Sequence, residues 1–80
     1  MLAHTLTPAQ LRAARGLVGW SRPQLAMQSG VSLSTVKDFE DGRRTPYATS
    51  LAVMITALEA AGVVFVEANG GGPGVRLRMP

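Results

Sequence analysis

Residues 20–46, Trp20-Ser21-Arg22-Pro23-Gln24-Leu25-Ala26-Met27-Gln28-Ser29-Gly30-Val31-Ser32-Leu33-Ser34-Thr35-Val36-Lys37-Asp38-Phe39-Glu40-Asp41-Gly42-Arg43-Arg44-Thr45-Pro46, decide how the rest of the chain is read. Ser21 with Gln24 three positions on is a capping-box pattern: the hydroxyl takes the Gln backbone N–H, and the Gln side chain reaches back to the Ser N–H. A helix is therefore expected from about Arg22, with Trp20 stapled onto Leu25. Gly30 stops it, since glycine takes the left-handed conformation past a helix end without a Cβ clash. Ser32 is the next N-cap, and the helix it opens turns Val36, Phe39 and Glu40 inward and most other side chains outward until Gly42 closes it.

Outward from this stretch the pattern stays helical on both sides. Thr7-Pro8 reads as an N-cap followed by Pro at the first helical position, where its missing N–H costs nothing. The helix expected over about 8–18 carries Leu11, Ala14 and Val18 on one face, keeps Arg12 and Arg15 off it or at its edge, and weakens at Gly16 and Gly19. Beyond the basic loop Arg43-Arg44, Thr45-Pro46 leads into a fourth helix over about 48–61, whose face is Leu51, Met54, Ile55 and Leu58 and whose stop is Gly62. The period then changes. Val63-Val64-Phe65-Val66 is β-branched or aromatic, Asn69 to Gly74 is turn-forming, and Val75, Leu77 and Met79 alternate with Arg76 and Arg78. The Gly-rich segment joins two strands and opens no helix, so it is expected to be a hairpin turn, not a phosphate cradle. The expected fold is mainly α, four helices with a C-terminal β-hairpin, divided into residues 1–62 and an extension over 63–80.

Composition excludes several classes of function. Eighty residues suffice for one compact core and not for a cleft between domains. With 46% hydrophobic and 16% charged residues the chain is expected to fold. It has no Cys, and a single His, His4, cannot build an imidazole metal site, so neither metal nor cofactor is expected. Asp38, Glu40 and Asp41 cluster with no His or Cys beside them, which argues against an enzyme. No apolar run approaches the roughly 20 residues of a membrane span and no leader pattern opens the chain, so a cytoplasmic, nucleoid-associated protein is expected. The formal charge of +3 is unevenly placed. Residues 1–46 hold Arg12, Arg15, Arg22, Lys37, Arg43 and Arg44 against three carboxylates, whereas Arg76 and Arg78 are balanced by Glu59 and Glu67.

Two short helices separated by Gly30-Val31-Ser32 have the spacing of a helix-turn-helix. Residues 7–62, and most closely 20–46, resemble the phage-repressor and Cro-like (xenobiotic-response-element) helix-turn-helix regulators, a lambda-repressor-like fold. The resemblance rests on Leu25-Ala26, Gly30, Ser32 with Thr35-Val36, and Phe39-Glu40-Asp41-Gly42-Arg43. It implies that the helix after Ser32 enters the major groove of double-stranded DNA. There Leu33, Ser34, Lys37 and Asp38 match base-reading positions, Asp38 having an adjacent Arg as an alternative partner. Arg22, Thr35, Arg43 and Arg44 match phosphate-contacting ones. Arg15 and Glu40 match a structural ion pair, Trp20 and Phe39 core positions, and the Met residues are core filler. Tyr47 is expected to cap the fourth helix or to touch a phosphate. Pro23 departs from the family pattern but is tolerated in a first turn whose N–H groups are unpaired, and Gly16 and Ser29 depart from it by weakening packing slightly without touching the DNA-facing side. The implied function is a sequence-specific transcriptional regulator, a repressor on a palindromic operator, dimerised through the 63–80 hairpin. The competing class is an antitoxin or adaptor acting mainly through a protein partner.

Overall fold

Thr7 and Ser21 each open a helix with a complete capping box. Thr7 Oγ1 accepts from the Gln10 backbone while the Gln10 side chain accepts from the Thr7 N–H, and Ser21 and Gln24 repeat the exchange. In the computed structural model, which describes residues 6–67 and 70–78, these caps begin α1 (Pro8–Val18) and α2 (Arg22–Ser29). Ser32 caps α3 (Leu33–Glu40) through the Thr35 N–H, and α4 (Ala48–Ala60) follows the basic loop. Gly30, at φ +79°, closes α2 and donates to the Ala26 carbonyl. The four-helix order followed by a two-stranded hairpin agrees with the architecture expected from the sequence.

One core joins every element. Leu11 and Ala14 of α1, Leu25 of α2, Val36 and Phe39 of α3, and Leu51, Met54, Ile55 and Leu58 of α4 are buried together, with Leu6 and Val31 beneath the connections. Trp20 packs at the edge of this cluster. The reading of the Met residues as core filler holds for Met54 and fails for Met27, which is 77% exposed. An eight-residue helix makes little more than two turns, and α2 buries only Leu25 fully, leaving Met27 on the opposite side.

The hairpin is seated on the helices. β1 (Val63–Val66) and β2 (Gly74–Leu77) pair antiparallel with Val63 opposite Leu77 and Phe65 opposite Val75. Cross-strand partners share a face, and this one turns Val63 and Phe65 into the helical core with Val75 beside them. Gln10, buried among apolar side chains, donates from Nε2 to the carbonyls of Val66 at 3.2 Å and Gly74 at 3.1 Å, fastening α1 to both strands. Its place on the inward face of α1 went unremarked in the periodicity, which counts apolar residues only. Leu77, which the alternation sets on the same side as Val75, is 45% exposed at the end of its strand. Met79 and His4 lie outside the described residues. Among the described residues no helix is long and apolar enough to cross a membrane.

Candidate nucleic-acid interface

The α2–turn–α3 unit is held to α1 by a buried carboxylate. Glu40 lies on the inward face of α3 with a fully buried side chain, where an unpaired charge would be prohibitive. Arg15 of α1 meets it in a two-point fork, Nε donating to Oε2 at 2.6 Å and Nη2 to Oε1 at 2.7 Å. The hydrogen bond to Glu40 raises the Arg15 pKa above its ordinary value against the opposing effect of burial, so the guanidinium stays charged. Arg15 Nη1 also donates to the Trp20 carbonyl at 3.0 Å, binding the α1–α2 connection into the same cluster.

Two further arginines join Glu40. Arg12 Nη1 donates to its backbone carbonyl, and Arg22 Nε donates to its Oε1 at 3.0 Å while Arg22 Nη2 reaches Asp41 Oδ1 at 3.0 Å. Arg22, placed by the sequence reading among the phosphate-contacting residues, is thus partly engaged inside the protein. The i, i+3 spacing of Arg12 and Arg15 puts both on one side of α1 and was the available signal for the first of these. The Arg22 contacts span 18 and 19 residues and have no local signature.

The opposite face of α3 is open. Ser34 and Lys37 are exposed, and Leu33 and Asp38 half-exposed, so these four positions form one outward stripe. At its N-terminal end Ser32 Oγ donates to Thr35 Oγ1 at 2.8 Å and lies 3.3 Å from Ser34 Oγ, which makes a small hydroxyl cluster. Toward its C-terminal end Asp38 Oδ2 accepts from Arg44 Nη2 at 3.3 Å. This loose pair realises the alternative partnership of Asp38. Neither Lys37 nor Arg43 takes part in an ion pair among the described residues.

Beside this stripe the start of α4 is uncapped. Tyr47 occupies the N-cap position in extended conformation, 85% exposed, and makes no side-chain cap bond, so the capping role considered for it is not realised. The first turn of α4 opens onto a depression of about 280 Å³ lined by Thr35, Arg44, Thr45, Pro46, Tyr47 and Ser50. Thr35 and Arg44, separated by nine positions, are brought together there. Chemically the face offers hydroxyls, one ammonium and guanidinium groups around an exposed helix. It contains no group of three or more metal-ligating side chains among the described residues.

No curated protein matches the sequence. A family model described as a helix-turn-helix domain matches residues 9–67, which takes in α1 from its second residue, α2, α3, α4 and β1. With three-quarters of the chain covered and the two-helix unit displayed as described, the chain belongs to this helix-turn-helix domain family.

Proposed function

We propose that the chain is a sequence-specific transcriptional regulator, a repressor that docks α3 into the major groove of a palindromic operator as a dimer. Helix-turn-helix membership makes double-stranded DNA the partner. The observation that carries the finer reading is the outward stripe of α3, which holds Leu33, Ser34, Lys37 and Asp38 clear of the core and flanks them with basic residues. Lys37 is suited to guanine O6 and N7, Asp38 to cytosine N4 once Arg44 releases it, Leu33 to a thymine methyl, and Ser34 to several base edges. Thr35 and Arg44 line one depression at the start of α4, and together with Arg43, the outer end of Arg22 and the uncapped N–H groups of α4 they are the groups suited to phosphates on either side of the groove.

One copy makes few base contacts, and two copies about one helical turn apart would double them. The hairpin offers a surface for that pairing: β2 is an edge strand with exposed Leu77 and, among the described residues, no further strand beside it. Selection of bound sequences from a random duplex pool tests the reading. A palindromic motif is expected, with Ser34→Ala and Lys37→Ala altering the preferred bases and Arg43→Ala weakening all sequences alike. Equal effects from all three substitutions, or no enrichment at all, would refute it. Sedimentation of Leu77→Glu checks the dimer surface without removing Val63 and Phe65 from the core; a dimer undisturbed by that charge would exclude the hairpin.

A further inference from the structure

We propose that Asp41 sets the sequence-independent strength of DNA binding by holding Arg22 until a phosphate displaces it. This inference rests on the DNA-binding reading above and adds a residue to which that reading gives no role. Glu40 is already matched by the fork from Arg15, so the one contact Arg22 makes to it does not account for a second positive charge. The partner that balances Arg22 is Asp41, whose single ion-pair contact is Nη2–Oδ1 at 3.0 Å. The pair is accessible from outside, with the Arg22 side chain 29% and the Asp41 side chain 40% exposed.

The geometry permits exchange without disturbing the core. Arg22 is the first residue of α2, and Asp41 is the first residue beyond α3, so an anion approaching the start of α2 meets both charges together. Arg22 Nη1 makes no hydrogen bond among the described residues, while Nε is anchored on buried Glu40. The outer end of the guanidinium can therefore turn from carboxylate to phosphate about a fixed inner end. In the free chain Asp41 cancels most of the attraction of Arg22 for any polyanion. Contacts to base edges are untouched, so the exchange scales specific and non-specific binding alike and leaves their ratio unchanged.

The test measures affinity for a random-sequence duplex over a salt series, using the full chain. Relative to wild type, Asp41→Asn is expected to bind about five- to tenfold tighter near 0.1 M salt and to steepen the salt dependence by about one phosphate equivalent. Its denaturation midpoint should stay near that of wild type, because an exposed pair contributes little. In an Arg22→Met background, which keeps an apolar stem against the protein, Asp41→Asn should change affinity by less than about twofold, since the exchange has lost its cation. Wild type and Asp41→Asn binding within twofold of each other would overturn the exchange and leave DNA binding standing. The same gain in the Arg22→Met background would overturn it in favour of a general field effect of the carboxylate. Failure of the wild-type chain to bind any DNA would overturn the DNA reading and the exchange with it.

Discussion

Replacing Arg15 by Met removes the fork that neutralises Glu40 and leaves the carboxylate in place. The Glu40 side chain is fully buried, whereas that of Arg15 is 17% exposed. The substitution deletes the 2.6 and 2.7 Å bonds to the carboxylate and the 3.0 Å bond to the Trp20 carbonyl, and the Glu40 carboxylate keeps only the 3.0 Å contact from Arg22. Breaking one side of a buried pair costs about 3–5 kcal/mol, most of it the penalty of the stranded charge. An 80-residue domain has about 4–12 kcal/mol in total, so Arg15→Met is expected to remove between about a quarter and all of the stability. Glu40→Met should cost less, about 2–3 kcal/mol, because the orphaned Arg15 can extend its head toward water along its apolar stem. The double variant strands neither partner and should recover most of the loss. Urea unfolding followed by far-ultraviolet circular dichroism reads all three midpoints. An Arg15→Met cost below about 1 kcal/mol, or a double variant no more stable than Arg15→Met, would refute the claim that α1 and α3 are joined by a desolvated charge pair.

Other perturbations test single contacts. Gln10→Leu keeps the bulk and removes the donor shared by the Val66 and Gly74 carbonyls, so it should cost about 1–3 kcal/mol and speed amide hydrogen exchange in β1 and β2 more than in α3; uniform acceleration would refute the latch. Tyr47→Ser gives α4 the hydroxyl cap it lacks at a position already in extended conformation, and a gain of about 0.5–1 kcal/mol in thermal unfolding is expected; a loss would show that the exposed ring contributes to the fold. Gly30→Ala places a Cβ at φ +79° and should cost about 1 kcal/mol although nothing lies within 4 Å of that atom; an unchanged midpoint would refute a purely conformational role.

Local chemistry made much of this fold legible. The caps at Thr7, Ser21 and Ser32 and the stops at Gly30, Gly42 and Gly62 are encoded within four or five residues of where they act. The inward position of Glu40 was also visible, because helical periodicity places it beside Val36 and Phe39. What periodicity could not supply was the set of partners. Arg22 and Arg12 reach residue 40 across 18 and 28 positions, distances that only the docking of three helices closes. Gln10 was silent because a lone amide among apolar residues acquires meaning only when two strand carbonyls arrive above it. Met27 was misread for the converse reason: a short helix has too few turns for apolar content alone to choose its buried side.

The same long-range contacts change the electrostatic argument for the candidate interface. Six basic residues in 1–46 suggest a broad cationic surface, yet Arg12, Arg15, Arg22 and Arg44 all donate to carboxylates or carbonyls within the chain. Of these six, only the Lys37 and Arg43 side chains donate to no carboxylate or carbonyl among the described residues, and they lie at the exposed side of α3 and in the loop after it. A footprint that small gives weak attraction to DNA of arbitrary sequence, because each phosphate neutralised adds its own counterion-release increment. Tight binding then has to come from base contacts along the α3 stripe and from presenting two such stripes at once. The ion pairs thereby shift the burden of recognition from net charge, a property of composition, to the orientation of a few outward side chains, which the fold decides.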